Sequence, residues 1–257
     1  ITNNRGRRMK LKDLPIFLSA IDEERFGIKT AKVEKVELHD IPNIMKFCKE
    51  NEVRLLLARC PTSDLPAVQE LERNGFLLMD TLIYYSCNLR ENPPPAYVSE
   101  IRIRSFMPGE EEIIKAIAAE AFDGYLGHYH ADSRLDKTKC NETYADWAYK
   151  SCLHKEVADQ VFVAELKDKV IGFGTVRENS PDEGQVILFG VLKAYQGMGI
   201  YRMILMNCMK WCIDRNIEMM ITSTQITNLA VQKVWIRLGF DPGCSYYTFH
   251  KWFAENL

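Results

Sequence analysis

Long hydrophobic runs are missing from this chain. No apolar stretch in its 257 residues approaches the roughly 20 needed to cross a bilayer, and none resembles the apolar core of a signal peptide. Paired cysteines are missing too. The eight cysteines are scattered and none stands in a C-x-x-C pair. Cys208 and Cys212 lie four apart on an expected helix with no matching His or Cys pair elsewhere, so they read as buried thiols and no metal site is expected. A charge of one sign is also lacking. The formal net charge of -2 gives no general pull toward nucleic acid or an anionic membrane. The basic run Arg5, Arg7, Arg8, Lys10, Lys12 is the local exception and reads as a solvated terminus. These absences predict a cytoplasmic protein with reduced cysteines, without a nucleic-acid polymer or a membrane as partner. Gly-Lys-Ser/Thr and G-x-G-x-x-G are absent as well, which excludes a P-loop and a nicotinamide fingerprint.

What is present is ordinary in composition, 47% hydrophobic and 26% charged, and long enough for one large domain or two modest ones. Glu91-Asn92-Pro93-Pro94-Pro95 is the clearest break and reads as an extended linker. It divides an expected domain over 1–92 from a second over 98–257. Before it, strands are expected near 30–37, 53–60 and 76–89, and helices near 41–51 and 63–74, with Ser63 as N-cap and Gly75 as left-handed C-cap. After it, strands are expected near 100–105, 161–166, 170–177, 185–192, 218–224 and 245–252. Helices are expected near 110–122, 141–153 (capped by Asn141), 199–215 and 228–238, with 123–140 as loop. The fold class is α/β. Leu71-Glu-Arg-Asn-Gly-Phe76 and Trp235-Ile-Arg-Leu-Gly-Phe240 both close a helix with Gly-Phe, which points to a degenerate internal repeat.

One turn carries chemistry. Val186-Ile-Leu-Phe-Gly-Val-Leu192 runs through Gln196-Gly-Met-Gly199 straight into a helix. A strand entering a helix this way presents unpaired N–H groups at the positive end of the helix dipole, an arrangement suited to a phosphate or pyrophosphate. Glycine permits close approach, and Gln196 can add a side-chain donor. A plain tight turn is the alternative.

The stretch 186–205, VILFGVLKAYQGMGIYRMIL, resembles the coenzyme A motif of the GNAT N-acyltransferases, Q/R-x-x-G-x-G/A after a strand and before a helix. The resemblance implies a tandem GNAT fold with a degenerate N-terminal half and mostly antiparallel, helix-flanked sheets. It also implies acetyl-CoA or another short acyl-CoA as co-substrate. The turn donors would be Gln196, Gly197, Met198, Gly199, Ile200 and Tyr201, the strand partners Phe189 and Val191, with Asn228 beside the cofactor. Tyr201 stands where Gly or Ala is usual, so its ring must point away from the phosphates. Trp235 stands where many members carry a tyrosine acid; an indole N–H is not an acid, and Tyr246 and Tyr247 are the alternatives.

A narrower resemblance, to the dTDP-fucosamine acetyltransferase group, covers four segments in order: 22–34, 57–76, 121–135 with 142–152, and 223–240. It implies N-acylation, with an acetyl or a longer group such as 3-hydroxybutanoyl, of a nucleotide-linked (dTDP) amino sugar for surface polysaccharide synthesis. The rivals are a GNAT enzyme acting on a protein or small amine, and a non-catalytic acyl-CoA sensor. In the segment resembling the acceptor loop, His130 is the candidate base, with Asp132 fixing it or the amine. His128, Tyr129 and Arg134 are candidate substrate contacts, Arg134 for a nucleotide phosphate. Trp147 and Tyr149 read as core. A homodimer is left open.

Overall fold

The computed structural model describes residues 16–254. The basic run at 5–12 lies outside them. In chain order the elements begin β1 (Ile16–Leu18), α1 (Ala20–Phe26), β2 (Thr30–Val33), α2 (Ile41–Glu50), β3 (Leu55–Pro61), α3 (Leu65–Arg73) and β4 (Leu77–Asn88). They continue β5 (Arg102–Ser105), α4 (Glu111–Ala121), α5 (His128–Ala131), α6 (Lys137–Leu153), β6 (Gln160–Leu166), β7 (Lys169–Ser180) and β8 (Glu183–Val191). The last are α7 (Ile200–Ile213), β9 (Met219–Gln225), α8 (Leu229–Arg237) and β10 (Asp241–Trp252).

Two compact units are present, and neither is a continuous stretch. One comprises residues 84–125 and 141–243 and is called here the glycine-turn unit. The other, the histidine unit, comprises 16–83, 126–140 and 244–254. Of the four unit boundaries among the described residues, two fall inside the long strands β4 and β10, one inside α6 and one between α4 and α5, and none at the proline run.

In the glycine-turn unit the strands lie in the order β9-β8-β7-β6-β5. β5 to β8 pair antiparallel, and β8 pairs parallel with β9. Side chains alternate across the sheet. Phe173 joins Ile114, Ile117 and Ala118 of α4 and Ala148 of α6 in one core. The next residue, Gly174, faces α7. A Cβ there would meet Ile204 at 2.5 Å and Phe189 at 2.7 Å, so only glycine lets α7 lie this close to β7.

The histidine unit orders its strands β1-β2-β3-β10. β2 and β3 are parallel, and β10 runs antiparallel to β3 from Tyr246 opposite Pro61 to Trp252 opposite Leu55. Its larger core gathers Ile44, Phe47, Leu56, Leu71, Phe76 and Phe249. A second cluster places Tyr129, Leu135 and Cys140 against Phe26, Leu55 and Leu57.

Three local expectations are corrected. Asp64, not Ser63, caps α3, its carboxylate accepting the Ala67 N–H at 3.1 Å. Asn141 lies within α6, which begins a turn earlier at Lys137. The segment expected to be loop contains the short helix α5. The repeated helix endings are alike in backbone: Gly75 and Gly239 both take left-handed conformations, at φ 74° and 84°. No helix among the described residues is long and apolar enough to cross a membrane, and all eight cysteines are free thiols.

Candidate active site

The turn between β8 and α7 is open. After a single 3₁₀ turn at Lys193–Tyr195, Gln196 is extended, and Gly197 and Gly199 adopt φ of 81° and 76°. A Cβ at either glycine would meet nothing within 4 Å, so protein packing does not demand glycine there. The left-handed backbone does. Met203 is the first residue of α7 whose N–H closes back onto the turn, to Gly199 O at 3.1 Å. The amides before it, at Ile200, Tyr201 and Arg202, have no preceding helical carbonyl to reach. They sit at the positive end of a helix of 14 residues, beside exposed Gly197, Met198 and Gly199. Gln196 also anchors the turn. Its Nε2 donates to Val191 O at 3.3 Å and ties the turn to the end of β8.

Next to this turn the sheet forks. β8 and β9 pair only from Glu183 opposite Met219 to Gln185 opposite Ile221, although β8 runs on to Val191 and β9 to Gln225. A bulge in β8 opposite Gly174–Val176 bends the strand at the fork. There the Leu188 N–H is held by Thr175 Oγ1 at 3.0 Å. Beyond the bulge come half-buried Phe189 and buried Val191. On the β9 side, Asn228 precedes α8 and donates from Nδ2 to Thr224 Oγ1 at 3.1 Å.

Tyr201, which departs from the coenzyme A motif, and Trp235, which stands where a tyrosine acid is expected, meet each other. Trp235 on α8, 2% exposed, donates its indole N–H to Tyr201 Oη at 2.9 Å. The Tyr201 ring lies against Phe189, with centroids 4.9 Å apart. It therefore turns from the glycines toward α8. Burial pushes the Tyr201 phenol well above its ordinary range, partly offset by the indole hydrogen bond. The hydroxyl is neutral at any working pH, and because Trp235 only donates, the phenolic hydrogen remains available to another acceptor.

The loop residues lie in the histidine unit, and the fold gives them unequal roles. Asp132 is 4% exposed. Its Oδ2 accepts His250 Nδ1–H at 2.7 Å and Trp252 Nε1–H at 2.8 Å, and its Oδ1 accepts the Arg134 N–H at 3.0 Å. It thus fixes the imidazole of His250, not that of His130. Burial works against its charge, but these hydrogen bonds prevail and hold its pKa below the usual carboxylate value. His250 continues the chain, its Nε2 lying 2.9 Å from His128 Nδ1. Tyr129 is buried and donates to Asp22 Oδ1 at 2.5 Å; Asp22 also pairs with Lys32 at 2.6 Å and accepts the Ser19 hydroxyl. Tyr129 is therefore bound into an interior network. Arg134 is exposed, with its guanidinium 5.5 Å from the Trp252 ring centre. His130 is half-buried on α5. Tyr247 packs on the histidine-unit core.

His250, Trp252 and Asp22 escape sequence reasoning. His250 stands outside the loop that draws the eye, and its one signal is alternation along β10. No group of His, Cys, Asp and Glu suited to a metal occurs among the described residues.

Residues 125–240 match the family model described as Acetyltransferase (GNAT) family. Among curated proteins, the spore coat polysaccharide biosynthesis protein SpsD of Bacillus subtilis is 23% identical over 208 residues, which cover 79% of this chain and 68% of that protein. The mycothiol acetyltransferase of Saccharomonospora viridis is 27% identical over 191 residues, 69% of this chain and 59% of that protein. Among solved structures, a GCN5-related N-acetyltransferase from Sphaerobacter thermophilus superposes with a TM-score of 0.63 at 16% identity, covering 87% of this chain and 72% of that one.

Proposed function

From a chain whose residues 125–240 carry the GNAT acetyltransferase family match, we propose an acyl-CoA-dependent N-acyltransferase whose acceptor is the amine of a nucleotide-linked amino sugar. The observation that carries the reading is the open glycine turn beside the β8–β9 fork. Exposed Gly197, Met198 and Gly199, followed by the amides of Ile200 and Tyr201 at the start of α7, suit a pyrophosphate, and an added side chain at either glycine would project into open space. The stretch of β8 at Phe189 to Val191, paired with β7 but not with β9, leaves the strand groups on its β9 side for an extended amide-bearing arm. The co-substrate would bring an activated thioester carbonyl. This chain's residues would hold its phosphates by backbone N–H groups, align its arm along β8, and stabilise negative charge on the carbonyl oxygen with a strand N–H.

The amino-sugar acceptor rests on the four ordered segments that resemble the dTDP-fucosamine acetyltransferase group. The likeness to a spore coat polysaccharide biosynthesis protein adds support. Exposed Arg134 is the candidate for a nucleotide phosphate. The repeated left-handed Gly75 and Gly239 endings support a degenerate N-terminal half. A thiol-release assay over nucleotide amino sugars, peptides and polyamines, with acetyl-CoA and 3-hydroxybutanoyl-CoA, tests the reading. Release dependent on a nucleotide amino sugar is expected. Release only with peptides or small amines would replace the acceptor. Acyl-CoA binding without turnover of any amine would favour a sensor, the reading to which the Trp235–Tyr201 bond beside the fork lends itself.

A further inference from the structure

We propose that the Tyr201 hydroxyl, aimed by the Trp235 indole, donates a hydrogen bond to the thiolate that leaves when a thioester is cleaved at the β8–β9 fork. This role rests on the acyltransfer reading above. It lies within the glycine-turn unit, to which Tyr201, Trp235 and Phe189 all belong. Three features fix the phenol. Its backbone lies in the first turn of α7. Its ring rests on Phe189, in the stretch of β8 that has parted from β9. Its oxygen accepts the Trp235 indole N–H at 2.9 Å from α8, the helix that follows β9. The side chain thus joins the glycine turn to elements on both sides of the fork.

Trp235 is itself held in place. Tyr85 of β4 packs on the indole, with ring centroids 5.2 Å apart, and donates to Gln232 Oε1 at 3.2 Å. Gln232 Nε2 in turn donates to Ile226 O at 2.9 Å. An indole N–H only donates, so the phenolic hydrogen cannot point at Trp235 and is turned to the other side of the oxygen. No described residue accepts it. Trp235 is 2% exposed whereas Tyr201 is half-buried, so the phenol is the member of the pair that a ligand can reach.

Acidity decides what the phenol can do. Burial raises its pKa, and Cys208 of α7 and Tyr125 oppose a phenolate further. A thiol ionises near 8.5, below even an ordinary tyrosine at about 10, so a proton passed from this phenol to a thiolate would move uphill. Tyr201 therefore keeps its proton and stabilises charge by the hydrogen bond alone. As the amine nitrogen bonds to the carbonyl carbon, the carbon–sulfur bond breaks and its electron pair settles on sulfur. The proton lost by the nitrogen goes to water, and the thiolate takes one from water after release.

Tyr201→Phe keeps the ring and removes only the hydroxyl. The first readout needs no acceptor: free coenzyme A is bound to each protein, and its thiol is titrated by the ultraviolet absorbance of the thiolate. The bound thiol should ionise about one to two pH units higher in Tyr201→Phe than in the wild type, the size of a hydrogen bond to a charged group. Equal titrations, with coenzyme A affinities within about threefold of each other, would overturn the proposal. Turnover is the second readout, with whichever amine the wild type acylates. In Tyr201→Phe, kcat should fall about 10- to 100-fold, with KM for acetyl-CoA kept and no limb of the pH–rate profile moved. Retention of more than about a third of kcat would overturn the proposal. So would an alkaline limb that the variant loses, because the phenol would then be giving up its proton. If the wild type acylates no amine, the acyltransfer reading fails, and the thiol titration alone then decides whether Tyr201 meets the sulfur.

Discussion

The glycine turn and the relay of hydrogen bonds from Asp132 through His250 to His128 use opposite parts of the polypeptide. The turn works with backbone from consecutive residues, 196–201, most of it exposed. The relay works with side chains brought together across 118 residues of sequence, and Asp132 and His250 are buried. A backbone site has no side chain to delete. It is damaged only by adding bulk, charge or strain where glycine leaves room. A side-chain relay fails when a single atom changes, because each hydrogen bond sets the tautomer of the next residue.

The largest effect should come from the buried end of the relay. Asp132→Asn keeps the shape but removes the carboxylate that fixes His250 and accepts from Trp252, and stability should fall by about 2–3 kcal/mol, measured by urea denaturation. Unchanged stability would show that these hydrogen bonds contribute no more than packing. Acid should act on the same group. Its folded pKa is depressed, so its contribution to stability is complete above the ordinary carboxylate value of about 4 and is lost as pH falls through the lower folded value. Denaturant titrations from neutral to acid pH should show that loss in the wild type and less of it in Asp132→Asn.

Gly199→Asp comes next. It places a carboxylate in the expected phosphate space and a side chain on a φ of 76°. Acetyl-CoA affinity should fall at least about tenfold, some 1.4 kcal/mol by calorimetry. An unchanged dissociation constant in the folded variant would remove the cofactor from this turn. A smaller effect is expected at Trp235→Phe, which deletes volume in a buried site and the hydrogen bond to Tyr201. Stability should drop by about 1–2 kcal/mol in urea, with the pH dependence of turnover unmoved. A shifted pH limb would show that the Trp235–Tyr201 pair takes part in proton transfer. The smallest effect belongs to Gln196→Ala. This side chain ties the turn to Val191, so acetyl-CoA affinity should change by about threefold at most, less than 1 kcal/mol. A loss as large as that of Gly199→Asp would show a side-chain donor in a site assigned to backbone.

The same contrast explains what the sequence made legible. The turn could be read because its chemistry is local: strand, two glycines and helix occur in one unbroken stretch. The α/β fold class could be read from periodicity and caps, with errors of a turn or less at Ser63 and Asn141. The fork could not be read, because the point where β8 leaves β9 depends on which residues pair across space. Asp132 was visible but its partner was not. Nothing at position 250 distinguishes a buried relay histidine from an ordinary strand residue until β10 is laid beside β3. Likewise Tyr201 and Trp235 each stand out alone, and only the fold shows that they meet.

The most direct test of the central claim follows the backbone amides themselves. Acetyl-CoA should be titrated into ¹⁵N-labelled protein while the amide resonances of Gly197, Met198, Gly199, Ile200 and Tyr201 are monitored. These five should move together and saturate at the calorimetric dissociation constant, and Gly199→Asp should abolish the response. Calorimetric binding that leaves all five resonances unmoved would contradict the account.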